Sequence, residues 1–195
     1  MSGKKLVELA PPGAGIPAPE KAVGGALLKV LAALRSTEGL LAAFEDASET
    51  LLATAGSVAR EQLTTRVLIR RLAFMEDSSR RWSVAMTVSH VTIVNAAVLG
   101  LIQNLAAGKS ISLEVRTADV KPRASAGSEA LEALEAGVKT FTRTLDGQDL
   151  KRVPNRHPHP WFGPITPQQW LALAVVHTKL HLRQVSAISA KLPST

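Results

Sequence analysis

Residues 166–190 have the sequence TPQQWLALAVVHTKLHLRQVSAISA, and this stretch predicts one long helix with a well-defined start. Thr166 is a favourable N-cap residue, Pro167 suits the first helical position, and Gln169 completes a capping box with Thr166. Neither proline nor glycine interrupts the stretch after Pro167. Apolar residues recur at helical spacing along one side, which predicts that this side faces a core.

Two histidines, His177 and His181, lie four residues apart on this predicted helix. That spacing places both imidazoles on one face, about 6 Å apart along the axis. The same face carries Trp170, whereas Lys179 and Arg183 lie off it. Both imidazoles are therefore predicted to point into the core, where a ring without a partner costs about 1–3 kcal/mol.

A third histidine belongs to a second, very apolar helix predicted to end near residue 107. His90 shares a face of that helix with Met86 and Val94, so it is also predicted to face the core. Between Arg81 and Lys109 no residue is charged, and the stretch is long enough to span a bilayer. Its several polar side chains would be costly in lipid, so we expect no membrane span but the most buried helix of a soluble bundle.

Two further helical segments complete the predicted architecture. Residues 19–57 are predicted to be helical, with a break expected near 36–39, and residues 128–147 carry a regular apolar stripe. The stretch 58–79 fits either a short helix or an extended connector, and 111–117 either an extended loop or a minor strand. The fold class is thus predicted to be all-α, an antiparallel four-helix bundle. The proline-rich residues 1–18 are predicted to form a flexible N-terminal arm, and residues 19–195 the bundle domain.

The composition limits the chemistry. The chain contains no cysteine, which excludes thiolate metal sites and a cysteine nucleophile and is compatible with a cytoplasmic location. The net charge is +7, but the arginines clustered within residues 60–81 have no aromatic residues among them and no known nucleic-acid motif. A solvated surface is the favoured interpretation, so nucleic acid is not an expected partner.

Three inward-facing histidines on two helices predict a metal site formed by His90, His177 and His181. No Asp or Glu occurs between Asp77 and Glu114 or after Asp149, so these helices offer no carboxylate ligand. The remaining coordination positions would be open, which is typical of catalytic sites. Histidine ligands suit zinc or nickel, which we favour, and also iron.

Several alternatives stay open or are excluded by the same residues. Each histidine could instead be hydrogen-bonded within the core. The zinc protease motif requires Glu after the first histidine, where this chain has Thr178. His157 and His159 could line the metal site, or belong to a rigid surface turn set by the neighbouring prolines. A carboxylate near the metal would have to come from another helix, with Glu45, Asp46 and Glu49 as remote candidates.

The order of these residues resembles the DinB/YfiT-like superfamily. The resemblance rests on Trp82-Ser83-Val84 followed by His90, on the pattern His177-x-x-x-His181-x-x-Gln184, and on the stretch 159–164, HPWFGP, which looks like one branch of the superfamily. It implies a four-helix bundle, often a homodimer, with a metal held by a histidine triad that corresponds to His90, His177 and His181. It also implies a metal-dependent hydrolase or a thiol-dependent transferase acting on a small-molecule substrate. The alternative is a non-catalytic metal-binding protein or homodimeric scaffold.

Overall fold

The computed structural model describes residues 7–193 except 110, 113 and 115. Five α-helices occur in it: α1 (Ala18–Leu34), α2 (Thr37–Gly56), α3 (Val84–Ala106), α4 (Glu129–Leu145) and α5 (Pro167–Ser189). A short antiparallel hairpin, β1 (His157–His159) and β2 (Gly163–Ile165), precedes α5, with His157 opposite Ile165 and His159 opposite Gly163.

Helices α2 to α5 form a four-helix bundle. Helix α5 packs on both α2 and α3, and α4 closes the bundle by packing on α3 and α2. Phe44 of α2 and Phe141 of α4 stack in the core, with ring centroids 4.4 Å apart. The predicted all-α four-helix bundle is confirmed, and α1 is an additional helix that packs against α5.

Side-chain caps mark the start of α5, as predicted, and the start of α2. The Thr166 hydroxyl accepts the N–H of Gln169, whose side chain accepts the N–H of Thr166, so the capping box of α5 is complete. At α2 the Ser36 hydroxyl accepts the N–H of Gly39. This cap lies at the predicted break and separates α1 from α2.

Helix α3 is long and apolar enough to cross a membrane by length and composition, and 61% of its most apolar window is buried inside the protein. This burial agrees with the prediction of a buried bundle helix. The apolar residues that remain exposed lie mainly on α1 and include Val23, Val30 and Leu34.

The connectors settle one sequence-based alternative and differ from another. Within residues 111–117 the described positions form no strand, which agrees with the extended-loop alternative. The strands are instead the hairpin on either side of residues 160–162, where the prolines had suggested a rigid turn. The N-terminal segment also contacts the connector before α3, because the N–H of Ala10 donates to Asp77 and that of Gly15 to Glu76. The flexibility predicted for residues 1–18 stays a prediction.

Candidate metal centre

The rings of His90, His177 and His181 meet between α3 and α5, and one ring nitrogen from each lies within 4.8 Å of the others. Nε2 of His177 is 3.1 Å from Nε2 of His90 and 3.1 Å from Nε2 of His181. Nitrogen ligands about 2.0–2.1 Å from a tetrahedral zinc ion stand about 3.3 Å apart. The structure therefore brings together the three residues predicted from the sequence, at a spacing that suits a small divalent ion.

Hydrogen bonds orient two of these rings. Nδ1 of His90 donates to the carbonyl of Val120 over 2.7 Å, and Nδ1 of His181 donates to Oε1 of Gln184 over 2.7 Å. The Gln184 amide is itself fixed, because its Nε2 donates to the carbonyl of Ser79 over 2.8 Å. With the proton at Nδ1, the Nε2 atoms of His90 and His181 present lone pairs to the centre of the cluster.

The third ring, His177, stands between the other two. Its Nδ1 is buried and has no hydrogen-bond partner among the described residues. A single N–H at Nε2 of His177 could not donate to the lone pairs of His90 and His181 at once. A cation would bind the Nε2 lone pairs of all three histidines. Burial lowers the pKa of His90 and His177 well below the ordinary histidine value, and that of His181 to about 4, so the rings are neutral donors at neutral pH. The donor set thus fits a transition metal.

A cavity of about 320 Å³ adjoins the cluster, and all three histidines line it. Its walls are mostly apolar and come from parts of the chain far apart in sequence: α1, the connector before α3, the loop after β1, and α5. The main apolar wall residues are Leu28, Phe74, Met75, Trp161, Phe162 and Leu173. Such a cavity is suited to a small molecule with a largely apolar body.

Glu76 is a carboxylate in this cavity that sequence reasoning missed. It is almost fully buried, and Lys121 donates to it over 2.6 Å while the N–H groups of Gly13 and Gly15 also donate to it. Burial by itself raises the pKa of Glu76, but these donors outweigh it and hold the pKa below the ordinary value. Glu76 is therefore an ionised, fully engaged carboxylate. Its position in the ambiguous stretch 58–79 gave no signal of this role.

The remote carboxylate candidates do not approach the cluster. Glu45, Asp46 and Glu49 are exposed on α2, and none of them lines the cavity. The two histidines before α5 differ from each other. His159 lines the cavity, as the prediction of a site-lining residue requires. His157 is buried and does not line the cavity, so that prediction does not hold for it.

Comparison with known proteins places the fold. Residues 35–185 match the family model described as the DinB superfamily. Among solved structures, a four-helix bundle protein, TT2238, is 21% identical with a TM-score of 0.55, and covers 77% of this chain and 97% of its own. The colibactin self-resistance protein ClbS, solved in complex with a dsDNA, is 15% identical with a TM-score of 0.57, and covers 81% of this chain and 98% of its own. No curated protein matches.

At such identities the solved structures support the fold alone. The family match is broader evidence, because it covers most of the chain and includes His90, His177 and His181. On that match, and with the bundle and the histidine cluster the sequence pattern had suggested, this chain belongs to the DinB superfamily.

Proposed function

We propose that the protein binds one divalent transition metal through His90, His177 and His181 and acts on a small molecule held in the adjoining cavity. The observation that carries the proposal is the convergence of three Nε2 atoms, two of which have their lone pairs directed inward by hydrogen bonds at Nδ1. Zinc and nickel suit these ligands best, and iron is a further option. The reaction class we favour is metal-dependent hydrolysis or thiol-dependent transfer.

The metal would supply Lewis acidity, either lowering the pKa of a bound water or activating a small thiol. The chain's own residues would hold the ligand rings, exclude water and position the small molecule. Trp82 contributes to the first task by packing edge-on against His90 at 5.0 Å and parallel to His181 at 6.3 Å. Glu76 is already engaged by Lys121, so a dedicated carboxylate base is not part of the proposal.

Metal content tests the proposal directly. Elemental analysis of protein purified without a His-tag should give about one metal ion per chain, and much less for His90→Ala and for His181→Ala. His157→Ala is the matched control, because His157 is also a buried histidine but lies outside the cluster. Equal metal content in all four proteins would remove the basis of the proposal. Activity of the loaded protein would then be measured on ester, amide and thiol-conjugation panels.

A non-catalytic metal-binding or homodimeric scaffold protein is the alternative. Its support is the absence of a free carboxylate among the described residues of the cavity, together with the exposed apolar residues Val23, Val30 and Leu34 on α1. A metal-loaded dimer in light scattering that turns over nothing on those panels would favour this alternative. A metal-loaded monomer with turnover would exclude it.

Duplex DNA is a second candidate ligand, which the sequence alone had not led us to expect. Two observations favour DNA as a ligand: the net charge of +7 and the similarity in fold to a protein solved with a dsDNA. Binding to duplex DNA that weakens steeply as salt is raised would support the candidate. Undetectable binding at low ionic strength would dismiss it.

A further inference from the structure

His159 is placed as a cavity residue in its own right. It ends β1, and the N–H of Trp161 donates to its Nδ1 over 3.1 Å across the tight hairpin loop. The ring stacks on Phe162 with centroids 4.6 Å apart and planes 15° apart, and Trp170 lies 5.4 Å away. The Trp161 ring is a third aromatic neighbour, at 5.9 Å, so three rings and one backbone hydrogen bond fix the position of this imidazole.

The backbone hydrogen bond also fixes the tautomer. A backbone N–H can only donate, so Nδ1 of His159 must be an unprotonated acceptor and the ring proton must be on Nε2. That Nε2–H has no hydrogen-bond partner among the described residues, and it is not one of the polar atoms sealed inside the core. His159 lines the same cavity as the three clustered histidines, so the cavity contains an oriented donor that no described residue uses.

The rest of the cavity restricts what this donor can meet. Among its charged lining residues, Glu76 is paired with Lys121, whereas Arg116, Lys179 and Arg183 are exposed to solvent. Most of the remaining surface is hydrocarbon or aromatic. A ligand that fits must be largely apolar and carry a hydrogen-bond acceptor. A strongly polar ligand would leave its own groups without partners against Phe74 and Phe162.

We propose that His159 is a positioning residue whose Nε2–H donates a hydrogen bond to a carbonyl-type oxygen of an otherwise apolar small molecule in the cavity. The inference rests on the proposed function only in assuming that a small molecule occupies the cavity beside the metal. It assigns the ligand class, an apolar carbonyl compound, and the residue that selects its oxygen.

Two probes of similar shape separate the hydrogen bond from apolar burial. Acetophenone carries a carbonyl oxygen, and ethylbenzene lacks it. Affinities for the metal-free protein, measured by NMR titration, should show that the preference for acetophenone over ethylbenzene falls about 2- to 12-fold in His159→Phe, the range for one net hydrogen bond. His159→Phe keeps a ring to stack on Phe162, and His159→Gln keeps a donor, so His159→Gln should retain most of the preference.

Ethylbenzene provides the structural control, because its affinity should change little in either variant if the cavity is intact. Nitrogen NMR of the wild type should place the His159 proton on Nε2. The same preference in wild type and His159→Phe, or no binding of either probe, would overturn the inference. Because the titration uses metal-free protein, its outcome is separate from the metal analysis that tests the proposed function.

Discussion

Replacement of Gln184 by methionine should weaken zinc binding although Gln184 is not a metal ligand. The Gln184 side chain is fully buried; its Oε1 accepts from Nδ1 of His181 over 2.7 Å, and its Nε2 donates to the carbonyl of Ser79 over 2.8 Å. Methionine has a similar length but makes neither bond. Loss of a hydrogen bond that orients a ligand histidine typically lowers metal affinity 10- to 100-fold, or about 1.4–2.8 kcal/mol.

Gln168 offers a matched control on the same helix. It is also buried; its Oε1 accepts from the hydroxyl of Thr37 over 2.9 Å, and its Nε2 donates to the carbonyl of Arg35 over 3.0 Å. Gln184→Met strands two buried partners, whereas Gln168→Met strands the buried Thr37 hydroxyl and the carbonyl of the exposed Arg35. Both should lower the free energy of unfolding, by about 1–3 kcal/mol for each buried group stranded. Only Gln184→Met should change the affinity for zinc.

Zinc affinity would be measured by competition with a chelating indicator, and stability by urea unfolding of the metal-free proteins. The expected result is weaker zinc binding in Gln184→Met, with Gln168→Met indistinguishable from the wild type. Unchanged zinc affinity in Gln184→Met would refute the argument that Gln184 orients His181 for a metal. An equal loss of zinc affinity in both variants would show that general destabilisation causes the effect.

Three further predictions concern stability, measured by urea unfolding. The folded-state pKa of Glu76 is held below its ordinary 4.5, so its interactions stabilise the protein above that pH and are lost as the pH falls through the folded-state value; Glu76→Gln should therefore show a shallower acid-induced loss of stability, and an unchanged pH profile would contradict this. Asn95→Leu should raise the free energy of unfolding by about 1–3 kcal/mol, because both amide atoms of this buried side chain lack partners among the described residues; a loss of stability would show that they are satisfied. Gly25→Ala should add about 0.5–1 kcal/mol by helix propensity, whereas Gly24→Ala should gain less because its Cβ would lie 3.0 Å from Phe162.

The bundle could be predicted because its signals are local and periodic. The capping box at Thr166 and the apolar stripes need only neighbouring residues to act, and the break between α1 and α2 follows from the cap at Ser36. The hairpin before α5 could not be predicted in this way. Its strands have three residues each and contain prolines, which are usually unfavourable in sheets, so no alternating pattern marks them.

The histidine cluster could be predicted for a related reason, since helical spacing alone puts His177 and His181 on one face. The groups that orient the rings are harder to foresee. The partner of His90 is the backbone carbonyl of Val120, 30 residues away in a loop. Every residue type has a backbone carbonyl, so the sequence does not mark which one accepts this bond. Gln184 stood out in the sequence only as part of a motif, and its contact with Ser79 required the packed structure.

Some parts of the site lie in the region that matches the family, and others lie outside it. The three histidines fall within residues 35–185, which match the DinB superfamily, so the histidine cluster belongs to the part of the chain that the family describes. Part of the cavity wall lies outside that part, because Gly24 and Leu28 belong to α1 and Ile16 precedes it. Glu76 lies within the matched region, but the backbone donors that hold it, Gly13 and Gly15, do not. The substrate of a relative is therefore a weak guide to the ligand here. The better guide is the chemistry of the cavity itself: an apolar space, an ionised carboxylate paired with Lys121, and the N–H donor of His159, which has no partner in the described part of the chain.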